Sequence, residues 1–535
     1  MKRICKLIAM LLAIVLLLTG CNATALRQWV QGLLGQQAAT FTEIEYSRPD
    51  MGEFRTQLDA CIRGAEEDTN IDVLMEKVYA LYDTYYRFYT NYKLANIYCY
   101  KDLTNTYWSG EYTFCMENVS EVDAGMDKLL YALADSPLKS QLETEEFFGE
   151  GYFESYTGQS IWDESFTQLM DKEMRLQNEY DALSTQALEF SDYSEAFYES
   201  VGLRMEQLLV ELVAVRQEMA LHAGYDNYLQ FAYEFYYNRD YSPDQAIEYM
   251  KDVRSELVEL YVDIPSSAWS PRYEDWNQDE TFSYVESSAN AMGGMIADAF
   301  ALMKDGGFYD ISYGANKYNA SFETYLQYYY VPFVFMCPQG DGSDPLTFAH
   351  EFGHFCNDYA SAGTACGADV AEVFSQGMEY LTLFYAQDGD LLREMALATS
   401  LSTFVEQSAY ASFEHQLYLL DEDELTVENV RKLYEQMAED YGFTYWGYDN
   451  REYVTLAHLY IAPVYMVSYV LSNDLSMQIY QAEEAASGTG KKLLEDNLDT
   501  EEVSLLSFAK SAGLTNPFTG GRVEQLRKTF EKVLG

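Results

Sequence analysis

His350, Glu351, Phe352, Gly353 and His354 place two imidazoles four residues apart with an acid directly after the first. On a helix, residues i and i+4 lie one above the other on the same face, so both rings can bind one ion. Two nitrogen ligands at that spacing suit a tetrahedral Zn²⁺. Glu351 would project about 100° further round the helix, within reach of a water on the ion without ligating it. The chain holds five histidines and 86 acidic residues. Fewer than about 0.01 chance matches to this pattern are therefore expected. The plainer reading is a pair of surface histidines on an amphipathic helix, and a second segment argues against it.

A zinc hydrolase of this kind needs one more protein ligand and keeps one position open for water. Downstream, Ala368 to Leu381 reads as a helix that follows a loop containing Gly363 and Gly367. Glu372 and Glu379 stand seven residues apart, two turns, on one face of it. Val370, Val373, Phe374 and Met378 flank them, which fits a solvated acidic stripe poorly. Glu372 is the expected ligand, and Glu379 the acceptor that orients a ligand histidine. The alternative, that either acid is simply exposed, stays open from sequence.

HEFGH followed by ADVAEVFSQGMEYL resembles the thimet oligopeptidase and oligoendopeptidase F family of zinc metallopeptidases. In that family the glutamate of the second motif is the third ligand, and Glu372 matches it. FTEIEYSRPD (41–50), LHAGYDNYLQF (221–231), GGFYDIS (306–312) and VPFVFM (331–336) resemble further family segments, so the likeness spans residues 40 to 535. It implies an all-α ellipsoid split by a deep central channel, one Zn²⁺ per chain at the channel floor, and a small β-sheet near the active site. It also implies that short peptides are the substrates. The family has a histidine followed by tyrosines that bind substrate and steady the oxyanion. His458 matches that histidine; Tyr465 is the favoured tyrosine, with Tyr460 and Tyr469 as alternatives. This chain departs from the pattern in the short gap from His350 to Glu372, so the loop between the two helices must be abbreviated.

Residues 1–20 read as an export signal: Lys2, Arg3 and Lys6, an apolar run from Leu7 to Leu18, then Thr19 and Gly20 before Cys21. Leu-Thr-Gly-Cys resembles a bacterial lipobox, in which Cys21 carries the lipid. The protein is then expected on the extracytoplasmic face of the cell membrane, with 21–40 as a tether. The plainer reading is a simple signal peptide with an incidental Cys21. The net charge of −52 argues against nucleic acid as a partner. Six further cysteines, Cys61, Cys99, Cys115, Cys337, Cys356 and Cys366, are too few for a disulfide scaffold in a chain this long. Cys356 and Cys366 flank the loop after the zinc helix, and whether they pair is open. Ser487 to Lys492 resembles a phosphate loop only superficially, since Lys492 stands where Ser or Thr is needed.

The elements that must position these residues are mostly helices. Amphipathic periodicity predicts helices over Val73–Ala95, Phe166–Ala187, Tyr193–Ala223, Glu286–Met303 and Thr403–Leu420, and again toward Phe530. Strands are expected only between Phe308 and Met336, where the backbone around Phe333–Phe335 could pair with an extended peptide. The expected organisation is an N-terminal helical lobe, 41–200, and a catalytic lobe, 201–535. Three functions fit: a zinc metalloendopeptidase, a peptide-binding lipoprotein without catalysis, and a carboxypeptidase or dipeptidase of the same architecture. An intact Glu351 argues against the second.

Overall fold

The computed structural model describes residues 40–535 except 145–146, 155, 157–160, 188–189, 191–193, 364–365, 446 and 501. The expected signal, Cys21 and nearly all of the tether lie outside the described residues. The fold is mainly helical with one small sheet, as expected. Three helices open it: α1 (Met51–Glu67), α2 (Ile71–Lys101) and α3 (Thr106–Ala134). Asp50 starts α1 by accepting the Gly52 and Glu53 amides, the usual way a first turn satisfies its free N–H groups. Tyrosine is abundant here for structural reasons. Tyr89, Tyr92 and Tyr100 of α2 are almost fully buried, and their neighbours Tyr85, Tyr112 and Phe335 meet them edge-on or stacked.

Next come α4 (Glu164–Ala187), α5 (Leu203–His222) and α6 (Pro243–Val262). The periodic run expected over Glu286–Met303 is two helices, α7 (Gln278–Met292) and α8 (Gly294–Gly306). Gly293 and Gly294 both take positive φ, 67° and 60°, and interrupt the run. At Gly294 the break is also steric, because a Cβ there would sit 2.0 Å from Glu495 Oε1.

The sheet follows: β1 (Tyr309–Ile311), β2 (Ser321–Leu326) and β3 (Val331–Met336), in spatial order β1-β3-β2. β3 is parallel to β1 and antiparallel to β2. Its six residues are all buried, which explains an unbroken apolar run. The central place of β3 corrects one expectation. Val334 and Phe335 are paired on both sides and Phe333 with Thr324, so β3 leaves no open edge along this stretch for a peptide. The edge strand beside the helix of His350 and His354 is β2.

Helices α9 (Asp344–Ser361) and α10 (Ala368–Tyr385) carry the two motifs. The rest is α11 (Gly389–Tyr418), α12 (Val427–Asp440), α13 (Met466–Ala485) and α14 (Arg522–Leu534), with short turns between. The large apolar side chains form one continuous buried core. Among the described residues, no helix is long and apolar enough to cross a membrane; the six cysteines are buried, and Cys356 and Cys366 do not pair.

Candidate metal centre and active site

Helix α9 begins where Pro345 sits in the first turn, a position whose N–H would go unbonded anyway. Asp344 is its first residue rather than its cap. The Asp344 carboxylate accepts the Gln339 and Gly340 amides, both at 2.8 Å, and so ties the incoming loop to the helix. Leu346, Ala349, Phe352 and Gly353 are buried in the core. The neighbouring face carries His350 and His354, with ring centroids 5.0 Å apart.

Gly353 has a steric reason. A Cβ on it would lie 2.6 Å from the Phe374 carbonyl oxygen and 2.6 Å from the Ser375 Cα, both backbone atoms of α10. The two helices therefore cross almost backbone to backbone, and Glu372, one turn before Ser375, meets the histidines. One ligand atom from each of His350, His354 and Glu372 lies within 4.8 Å of the others. His350 Nε2 and Glu372 Oε2 are 3.4 Å apart. Bonds of about 2.0–2.2 Å at tetrahedral angles put two ligand atoms about 3.3–3.5 Å apart. The donor set N, N, O and this spacing fit a zinc ion.

Glu379 accepts a hydrogen bond from His350 Nδ1 at 2.7 Å, which leaves Nε2 free for a metal. Tyr465 donates its hydroxyl to Glu372 Oε1 at 2.7 Å, and Ser375 Oγ lies 3.1 Å from Glu372 Oε2. Burial opposes charge on His350, but the hydrogen bond to Glu379 and the charge of Glu372 outweigh it and raise its pKa to about 10. Burial lowers His354 to about 4. Glu351 is raised to about 7, first by burial, with the charges of Glu372 and Glu379 adding to it. His350 and the backbone N–H of Glu323 on β2 act in the other direction, so the free edge of the sheet reaches Glu351.

The His458 segment comes to the same place. The His458 ring lies 6.1 Å from that of Tyr465 and 5.9 Å from that of Tyr469. Burial holds the His458 imidazole neutral, near a pKa of about 4. Tyr460 does not join them. It is fully buried, stacks on Tyr180 at 3.7 Å, and donates to the Met205 carbonyl, so this alternative falls away.

Tyr465 depends on an unusual loop. Val464 takes φ 64°, the left-handed region that a β-branched residue rarely enters. Its N–H donates to Glu414 Oε1 at 2.9 Å and its carbonyl accepts from Arg239 Nη2 at 2.9 Å. Tyr237 donates to the Pro463 carbonyl at 2.7 Å. Asp369, at the start of α10, accepts from Ser468 Oγ and Tyr241 and lies against Arg239. The helix of Glu372 and the helix after Tyr465 are thereby joined by a buried acid. On the other side Arg216, fully buried, binds Glu173 and donates to the Leu459 and Tyr460 carbonyls. Sequence reasoning missed Ser375, Asp369, Arg239, Glu414 and Arg216. Asp369 alone left a trace, as an acid between apolar neighbours in the second motif.

Residues 41–159 match the Peptidase M3 N-terminal domain. No curated protein matches the chain in sequence. Among solved structures, PZ peptidase A with an inhibitor aligns at TM-score 0.78 and 17% identity, covering 92% of this chain and 99% of that one. A Bacillus anthracis protein provisionally named oligoendopeptidase F gives 0.74 and 19%, covering 93% and 98%. Oligoendopeptidase F of Enterococcus faecium gives 0.54 and 14%, covering 90% and 97%. The chain thus has the fold of these proteins over nearly its whole described length. The likeness is to an M3 N-terminal domain over residues 41–159 and, beyond it, to the fold of these structures.

Proposed function

We propose that this protein is a zinc-dependent metalloendopeptidase that hydrolyses short, unstructured peptides at the outer face of a bacterial membrane. The observation that carries the reading is the meeting of His350, His354 and Glu372 beside Glu351, with Tyr465 on Glu372 and the free edge of β2 alongside. His350, His354 and Glu372 would hold one Zn²⁺, which when bound acidifies a water and polarises the peptide carbonyl. Glu351 takes a proton from the attacking water and delivers it to the leaving amine nitrogen. The Glu323 N–H holds the Glu351 carboxylate in place. Neutral His458 donates to the carbonyl oxygen as it gains charge, and Tyr465 joins it when its one hydroxyl proton turns from Glu372 to that oxygen. An extended peptide pairs with β2, the unpaired edge, and lies in a channel between the 41–200 and 201–535 lobes. Lipid on Cys21 anchors the chain; Cys21→Ala should release it from the membrane fraction or leave an unprocessed precursor.

Product analysis of a mixed peptide library by mass spectrometry tests the activity. Internal cleavage that stops with a chelator and returns with Zn²⁺ is the expected result. Release of single terminal residues only would make it an exopeptidase. Binding without cleavage by the zinc-loaded protein would make it a binding lipoprotein.

A further inference from the structure

The histidine row on α9 continues one turn further. Asp358 follows His354 by four residues and so lies on the same face, about 6 Å along the axis. Its carboxyl is hydrogen-bonded to that of Glu323 on β2. Two carboxyls bonded to each other hold a proton between them. Glu323 Oε1 is buried and accepts no hydrogen bond from a donor among the described residues. Tyr325, two residues on and on the same face of β2, is 9% exposed. Its hydroxyl also lacks a partner and lies in the field of Asp358 and Glu323. Lys93 of α2 neighbours both acids.

Glu323 serves the reaction derived above only through its backbone N–H, and neither its carboxyl nor that of Asp358 has a part in it. Charge decides what they could take. Two carboxyls with one proton carry −1, which Lys93 balances. An incoming cation displaces the proton to water and the pocket stays balanced, with two carboxylates facing two cations. An incoming carboxylate would leave an uncompensated negative charge in a buried place. Glu323 Oε1 is a free acceptor, and an acceptor calls for a donor. The strongly negative chain adds a field that draws cationic peptides inward.

We propose that Glu323 and Asp358, with the Tyr325 hydroxyl, form a subsite for the Lys or Arg side chain of a substrate peptide. The inference rests on the peptidase reading and names its specificity. An extended chain advances about 3.3 Å per residue, so the bound side chain lies within about two residues of the bond that is cut.

The test uses the zinc-loaded full chain and matched internally quenched peptides. Lys, norleucine or Glu is placed in turn at each of the positions flanking the cleaved bond. At one position Lys should exceed norleucine in kcat/KM by about tenfold or more, the scale of a charge-assisted hydrogen bond. That ratio should fall toward one in Asp358→Asn and in Glu323→Gln with zinc content unchanged, and survive in Asp358→Glu. A ratio unchanged in both neutral variants overturns the subsite. So does a preference for Glu that disappears in Lys93→Met. If no peptide is cut, the peptidase reading fails on its own account. Binding of the same peptides then decides: tighter Lys peptides with the same variant response support the subsite, and equal affinities overturn it.

Discussion

Gly353→Ala is the sharpest test of how the metal site is built. The new Cβ would stand 2.6 Å from two backbone atoms of α10, Phe374 O and Ser375 Cα, and 3.0 Å from Met378 Cβ. Ordinary contact begins at 3.4 Å, so the helices must part by 3.4 − 2.6 = 0.8 Å. No rotamer change can relieve a clash with backbone. Overpacking of this kind costs about 1–3 kcal/mol. A functional site tolerates only about 0.5 Å of displacement. Because the histidines ride on α9 and Glu372 on α10, the displacement falls on their mutual distances. Zinc affinity should drop at least about tenfold, as it does when a supporting contact is lost. Competition against a chromophoric chelator measures the affinity, and urea unfolding with and without zinc measures the stability. A variant that is destabilised yet binds zinc as tightly as wild type would refute the claim that the helix crossing sets the ligand spacing.

His350→Ala, His354→Ala and Glu372→Ala should each strip the zinc; full occupancy in Glu372→Ala, read by elemental analysis, would point to Glu379 instead. Glu351→Gln should keep zinc and peptide binding while turnover falls about 10²- to 10⁴-fold, and steady-state rates equal to wild type would end the general-base assignment. Tyr465→Phe should also keep zinc and lose about 10²- to 10³-fold in kcat, whereas an effect confined to KM would remove the oxyanion role. Asp123, between α2 and α3, tests the fold apart from the site: burial raises its pKa to about 7 despite a bond from Tyr89. A carboxyl whose folded pKa lies above its unfolded value of about 3.9 adds stability below that value and loses it as pH rises to about 7. Urea unfolding from pH 4 to 8 should therefore show a falling slope in wild type that flattens in Asp123→Asn, and parallel profiles would contradict the shift.

Local pattern carried the fold class, the strand region and the two motif helices. The meeting of His350, His354 and Glu372 was legible because helical spacing puts each pair of groups on one face and the family resemblance joins the two motifs. Glu379 on His350 was legible for the same reason. The break at Gly293–Gly294 was not, since the apolar period runs through it and the steric cause, Glu495, is 200 residues away. Tyr460, Tyr465 and Tyr469 could not be told apart from sequence. Their roles depend on the left-handed turn at Val464, which is held by Arg239, Glu414 and Tyr237 from distant helices. The pairing of β3 on both sides was likewise invisible, because an apolar run reads the same in an edge strand and a central one.

Strand β2 is an edge, yet four of its six residues are buried, with α2 and α9 packed against it. An open edge normally invites other chains to pair and aggregate. Recessed in this way, β2 is hidden from the flat edge of any folded neighbour, and a second copy of the protein cannot template on it. The recess thus keeps this open strand edge from becoming a template for a second copy of the protein.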